Sequence, residues 1–192
     1  KGSLWHTAVL PIGGEHFTND VAVALRTGVT EAERVKKKHG CALVSLVPEE
    51  DMIEVQSVGT KKARIMGRQL LAEVLQARTE EVCQLVLAEI RKSGFDQSLN
   101  GGIVLTGGGA MLEGMVEIGE QIFDLPVRLG TPSGITGLVD VVSSPAHATA
   151  VGLVLRSHRA RLGEGRLLQE MRGTGTFGKL TGRIKDMFSG LF

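Results

Sequence analysis

The sequence has no apolar run approaching the roughly 18 to 20 residues that cross a bilayer as a helix, so any membrane contact is expected to be superficial. It has only two cysteines, Cys41 and Cys83, without CxxC spacing and without a signal-like opening stretch. That excludes a zinc ribbon or a disulfide framework and predicts two small buried thiols in a reducing compartment. The five histidines, His6, His16, His39, His147 and His158, show neither HxxxH nor HExxH spacing. Neither cysteine has a neighbouring histidine or carboxylate arranged to hold a thiolate, so thiol-nucleophile and zinc-hydrolase chemistry are not expected. A phosphate loop is also excluded. Gly109 and Gly114 supply its GxxxxG frame, but Met115 and Val116 stand where lysine and serine or threonine are required. A dinucleotide fingerprint counted from Gly107 fails at Leu112, which takes the third glycine position.

The composition is that of a folded chain, with 42% hydrophobic and 22% charged residues in 192. That is enough for one domain, or one domain with a smaller lobe, and a core of its own. The net charge of +1 hides an asymmetry. Residues 1–155 carry 14 Lys and Arg against 18 Asp and Glu, a net of −4, and residues 156–192 carry 8 against 3, a net of +5. Basic charge is concentrated in the tail. Lys1 opens directly on a strand-like pattern, and the chain is expected to be a fragment whose N-terminal half is missing.

Residues 3–10 (SLWHTAVL) predict a strand, Gly13 and Gly14 a tight turn, and Phe17, Val21 and Leu25 a helix. In TEAERVKKKHG, Thr30 and Glu33 match a capping box, Lys36, Lys37 and Lys38 suit a helix C-terminus, and Gly40 suits a left-handed stop. Residues 42–47 and 52–58 predict two short strands around the PEED turn, a small hairpin. A helix is expected from about 67 to 92, with Leu71, Val74, Leu75, Val82, Leu85, Val86 and Ile90 on one broad face. Residues 102–106 (GIVLT) read as a strand buried on both faces, followed by three glycines and a helix over 111–123. Residues 127–129 predict a strand and 130–144 a loop, and Ser144 with Pro145 places a cap and first-turn proline before a helix. The glycines from Gly163 to Gly178 predict a flexible linker.

The strongest constellation is LTGGGAMLEG. A strand that opens through glycines into a helix lets a ligand approach the main chain, which suits a nucleotide; a plain tight turn fits the pattern equally. Glu33 and Lys36, one helical turn apart, read as a surface pair worth about 0.2 to 0.5 kcal/mol. The cluster Lys61, Lys62, Arg64 and Arg68 reads as a solvated face or as a patch for an acidic peptide.

Four stretches, HTAVLPIGGEHFTNDVAVAL, TEAERVKKKHGCAL, GIVLTGGGAMLEGM and SSPAHATAVGL, resemble in order and spacing the C-terminal half of the FtsA family, actin-like bacterial cell-division proteins. The resemblance covers essentially the whole chain and implies the α/β actin/Hsp70-like ATPase fold, second half only. A large subdomain, residues 1–28 and 95–156, would hold a small inserted one, residues 29–94. A flexible linker, 157–176, would lead to an amphipathic helix, 177–192. The resemblance further implies an ATP site in which Glu33 and Lys36 approach the ribose and adenine. Gly107, Gly108, Met111 and Leu112 would form the opposing wall, and magnesium accompanies the nucleotide in the full-length family. The family's glycine-rich hairpin for the β- and γ-phosphates would precede Lys1, and Ala146 stands where Hsp70 relatives carry an aspartate. With only the adenosine side present, weak or absent ATP binding and no hydrolysis are expected. The implied role is an adaptor, not an enzyme, that tethers FtsZ polymers to the inner face of the cytoplasmic membrane at the division site and self-associates into filaments. Its partners would be the acidic FtsZ C-terminal peptide at Lys61, Lys62, Arg64 and Arg68, anionic lipid and other division proteins, with no nucleic acid. The alternatives are a sugar-kinase-like or chaperone-like ATPase, or a plain interaction module if the chain is naturally this short. The absent phosphate loops and the terminal segment weigh against the first.

In that terminal segment Phe177, Leu180, Ile184, Met187, Phe188, Leu191 and Phe192 recur at steps of three and four, with Lys179, Arg183, Lys185, Asp186 and Ser189 opposite. The pattern predicts an amphipathic helix. It could close a core, but its basic polar face, bulky apolar face and preceding glycines favour an interfacial anchor made by Leu180, Arg183, Ile184, Lys185, Met187, Phe188, Leu191 and Phe192.

Overall fold

The computed structural model describes residues 4–59, 63–137 and 139–173. Lys61, Lys62 and the whole of the expected terminal helix lie outside these residues. The chain divides into two units, Lys1–Ala148 and Thr149–Phe192.

In the first unit, Gly13 caps helix α1 (Gly14–Ala24), whose buried Phe17 and Val21 continue into buried Leu25 as the spacing predicts. Helix α2 (Val29–His39) buries Ala32 and Val35 against α1 and ends on Lys36, Lys37, Lys38 and His39, cations that suit its C-terminus. Two details differ from expectation. The N-cap is Gly28, so Thr30 lies inside the helix and Glu33 is free for other partners. Gly40 is extended, with φ −66° and ψ 138°, so it is not a left-handed stop. It is glycine for space: a Cβ there would lie 2.3 Å from Lys36 O, 2.8 Å from Leu112 Cδ1 and 3.0 Å from Leu75 Cδ1.

Strand β1 (Met52–Gln56) pairs antiparallel with β2 (Ala63–Gly67), Glu54 opposite Ile65, and buries Ile53 and Val55. The expected strand at 42–47 is absent. Val44–Leu46 forms a 3-10 turn, and an isolated bridge of Cys41 to Glu113 lies just before the segment, because β1 finds its partner downstream instead. Residues 4–10 form no strand either. They have no neighbouring strand among the described residues, and a strand without a ladder leaves Leu4, Trp5 and Val9 exposed.

Helix α3 (Arg68–Ser93) runs as expected and stops at Gly94, which is left-handed with φ 75°. It buries Leu71, Ala72, Leu75, Thr79 and Cys83, while Leu85 lies on the exposed side of the predicted face. The Thr79 hydroxyl is satisfied by Leu75 O. Arg78 fastens α3 to α1 with a two-pronged bond to Asp20, Nε–Oδ2 2.5 Å and Nη2–Oδ1 2.9 Å. Strand β3 (Ile103–Leu105) and β4 (Val127–Leu129) pair in parallel, connected through α4 (Met115–Phe123), as a parallel pair requires. Val104 is half exposed, so β3 is not buried on both faces: Ile103 and Leu105 pack in the cluster of Ile118, Phe123 and Val127. A short helix α5 (Val139–Val142) interrupts the expected loop. Ser144 then accepts the Ala146 amide on Oγ and starts a 3-10 turn, Pro145–His147, with proline in its first turn. Both cysteines are buried, and burial raises both thiols, that of Cys83 to about 11.

Helix α6 (Ala148–Gly173) continues from that turn and makes up the described part of the second unit. It passes through Gly163 and Gly165, where a linker is expected, because the Leu, Arg, Glu, Gln and Met around them are strong helix formers. No helix of the described residues is long and apolar enough to cross a membrane.

Candidate functional site

Two groups of residues in the first unit carry the site chemistry. The first is built where α2 passes the opening turn of α1. Lys36 Nζ donates to Gly14 O at 2.9 Å and to Thr18 Oγ1 at 2.7 Å and pairs with Glu33 Oε2 at 2.6 Å. The Thr18 hydroxyl lies against Gly14 O and the same Glu33 carboxylate, and Lys37 Nζ reaches Glu33 Oε1 at 3.0 Å. Partial burial alone would raise the carboxyl of Glu33. Hydrogen bonds from Lys36, Thr18 and Lys37 outweigh it and hold the group down at about 2. Glu33 is therefore a fixed anion at neutral pH, an acceptor suited to hydroxyl donors, with a side chain 36% exposed.

The second group is the glycine turn after β3. Gly107 has φ +94°, a torsion that glycine alone adopts at ease, and its amide donates to Pro145 O at 3.1 Å. The Ser144–Pro145 cap therefore braces the turn from behind. Gly108 is helical in torsion, φ −62° and ψ −36°, and starts a 3-10 turn, Gly109–Met111. A Cβ built on Gly107, Gly108 or Gly109 would meet no atom within 4 Å. The three glycines thus leave open space above bare backbone. Met111 beside it is exposed, with its sulfur 3.4 Å from Ser144 Oγ, and Leu112 is half buried.

The two groups meet through Leu112. Its Cδ1 packs where Gly40 passes the last turn of α2, and the next residue, Glu113, is bonded to the same segment through Ala42 N to Glu113 O at 2.6 Å. Gly114, at φ +80°, lets the chain pass Leu43: a Cβ there would lie 2.8 Å from Leu43 Cβ. The Glu33–Lys36 pair and the 107–112 turn are thus parts of one framework, with Leu112 and Gly40 at the joint. The open backbone, the ionised acceptor and the apolar Met111 and Leu112 fit the adenosine part of a nucleotide. No group of three His, Cys, Asp or Glu among the described residues could hold a metal, and no step is assigned to magnesium.

Thr18, Gly14, Gly40 and Pro145 belong to this framework and are not evident from spacing. Thr18 alone carried a signal, as a polar residue on the apolar face of α1 between Phe17 and Val21.

Of the expected peptide patch, the two described residues are engaged within the fold. Arg64 Nη2 donates to Leu25 O at 2.5 Å, closing the C-terminus of α1. Arg68 contacts Asp51, Glu113 and His39 O.

A sequence model of the cell division protein FtsA matches residues 1–152. The chain is 48% identical over 155 residues to the cell division protein FtsA of Pseudomonas aeruginosa, covering 81% of this chain and 37% of that protein. It is 43% identical over 174 residues to that of Neisseria meningitidis, covering 90% and 41%. Identity to that of Escherichia coli K12 is 40% over 192 residues, covering 96% and 46%. The chain therefore spans less than half the length of the curated relatives it matches. Among solved structures it is similar to MreB5 of Spiroplasma citri bound to ADP, at a TM-score of 0.55 and 19% identity over 81% of this chain and 47% of that one. That similarity identifies the fold as actin-like.

Proposed function

The chain belongs to the FtsA family of cell-division proteins, and from that premise we propose that it supplies the adenosine-binding and partner-binding portion of an adaptor linking FtsZ polymers to the cytoplasmic membrane. The large subdomain is then 1–28 with 95–156 and the small one 29–94. The observation that carries the nucleotide reading is the packing of Leu112, which follows the open glycine turn, against Gly40 just after the helix that carries the ionised Glu33. Glu33 accepts from the ribose hydroxyls. Lys36, already bonded to Gly14 O and Thr18, holds that carboxylate in place and faces the adenosine. Gly107 and Gly108 admit the ligand to the main chain, and Met111 and Leu112 offer adenine an apolar wall. ATP, when bound, supplies the charge-bearing group whose presence governs self-assembly. Nucleotides bound to an actin-like relative, ADP in one MreB5 crystal structure and AMPPNP in another, support this reading.

The partner contact is the basic cluster Lys61, Lys62, Arg64 and Arg68, which the sequence brings within eight residues. Basic groups there steer and hold the acidic FtsZ tail. Residues 177–192 anchor the assembly to the inner face of the membrane. Each large apolar side chain of that segment gives at most about 1.5 to 3 kcal/mol and each Lys or Arg about 1 kcal/mol on an anionic leaflet. Ordering each residue costs about 1 to 2 kcal/mol. One tail therefore binds reversibly, and several tails in one filament bind firmly because later contacts form at high effective concentration. Titration of the 192-residue chain with a fluorescent ADP analogue tests the nucleotide reading. Weak binding, weakened further by Glu33→Gln, is expected, and equal binding by the two proteins would remove Glu33 from the site.

A further inference from the structure

Arg68, the first residue of α3, has a side chain only 20% exposed and places its three nitrogens on three different segments. Nε donates to His39 O at 2.8 Å, Nη1 to Asp51 Oδ2 at 3.2 Å and Nη2 to Glu113 Oε2 at 2.7 Å. Its own amide donates to Asp51 O at 2.8 Å. His39 and Asp51 lie on the α2 side of the framework. Glu113 lies on the other side, next to Leu112, and its carbonyl holds the Ala42 amide at 2.6 Å. The other contacts between the two walls, Leu112 against Gly40 and Gly114 against Leu43, are close packing that fixes distance better than direction.

We propose that Arg68 is a positioning residue for the adenosine site, its bond to Glu113 being the latch that sets the glycine-turn wall against the α2 wall. This rests on the nucleotide reading above. A planar guanidinium with divergent N–H groups satisfies His39 O, Asp51 and Glu113 together, whereas a lysine ammonium on a flexible stem has no fixed fork with which to orient them. Glu113 is held at both ends, by Arg68 at the carboxylate and by Ala42 at the carbonyl, so Leu112 beside it inherits a defined place. The two carboxylates on Arg68 have different jobs. Asp51 ties it within the small subdomain, and only Glu113 carries the tie across to the glycine turn.

The test uses the whole chain with Arg68→Lys, Glu113→Gln and Asp51→Asn. Amide exchange of Ala42 and of residues 107–112 is followed without nucleotide, affinity for the fluorescent ADP analogue is titrated, and urea midpoints are recorded. Arg68→Lys and Glu113→Gln are expected to speed exchange at Ala42 and weaken the analogue about tenfold, a size typical of coupled neighbours. Asp51→Asn is expected to lower the urea midpoint while leaving affinity within about twofold. A merely structural arginine would make Asp51→Asn and Glu113→Gln behave alike in every readout, and that result overturns the proposal. So does unchanged exchange at Ala42 in Arg68→Lys. If the unmodified chain fails to bind the analogue, the nucleotide reading and the positioning role fall together, and the Ala42 exchange still reports whether Arg68 joins the two walls.

Discussion

Two glycines of the site respond in opposite ways to the same added methyl group, and the contrast follows from local geometry. At Gly108 the backbone is already helical, φ −62° and ψ −36°, and a Cβ meets nothing within 4 Å. Gly108→Ala therefore carries neither strain nor clash, and restricting the unfolded chain should stabilise the fold by about 0.4 to 1 kcal/mol. At Gly40 the torsions are equally permissive, but the Cβ would lie 2.3 Å from a backbone oxygen and within 3.0 Å of two leucine methyl carbons. The leucines can turn aside and the Lys36 carbonyl cannot, so Gly40→Ala should cost at least the 1 to 3 kcal/mol or so typical of overpacking. Urea denaturation of both variants reads these signs directly. Binding separates them further, because a side chain at 108 projects into the space assigned to the ligand. Gly108→Val should fold with an unshifted or slightly lower midpoint, the branched chain being mildly unfavourable in a helical turn, and lose ADP-analogue binding by tenfold or more, about 1.4 kcal/mol. A Gly108→Val protein that binds as the unmodified chain does would show that the ligand does not approach this backbone, and a neutral Gly40→Ala would refute the packing argument.

Four other outcomes are expected. Glu33 titrates at about 2 in the fold against an ordinary value of 4.5, so its stabilising effect is fully present above about pH 4.5 and fades as pH falls toward 2. Melting temperatures of the unmodified chain and Glu33→Gln should therefore differ most near neutrality and converge at low pH, and a pH-independent gap would contradict the ionised-acceptor role. Arg64→Glu should remove the bond to Leu25 O and place an anion at the C-terminus of α1, lowering stability by about 1 kcal/mol and weakening an acidic peptide in a fluorescence titration. Lys61→Glu with Lys62→Glu should weaken the peptide alone, and unchanged affinity in the lysine pair removes these lysines from the docking surface. Phe188→Glu should release the chain from anionic liposomes in a sedimentation assay, whereas continued pelleting without self-assembly counts against the anchor.

Residues whose meaning is settled within a few positions were legible in the sequence. Ser144 and Pro145 open a capped turn, Gly94 ends α3 in the left-handed region, and the 3.6-residue spacing of α1 and α3 marks their buried faces. Residues whose partners lie far along the chain were not. Gly40 suits a helix stop by its place after three lysines, yet it is glycine because Leu112 and Leu75 converge there from other elements. Residues 42–47 have strand composition but take a 3-10 turn, since β1 pairs with β2 and a β-propensity without a partner decides nothing. Glu33 and Lys36 look like an ordinary surface pair. Only the arrival of Thr18 and Gly14 from α1, fifteen to twenty-two residues away, makes them a fixed acceptor. Arg68 stands in a basic cluster by sequence, and its bond to Glu113 spans 45 residues that no local spacing encodes.

Helix α3 holds 26 residues without interruption and at 1.5 Å each is about 39 Å long. It starts at Arg68 beside the glycine turn, is fastened to α1 at Arg78, and ends near Phe95, which meets Trp5 edge to face at 5.6 Å. Mechanically it is a lever pinned at Arg78, with an arm of about 15 Å to Arg68 and one of about 22 Å to Ser93. A displacement at the Arg68 end therefore arrives about one and a half times larger at the far one.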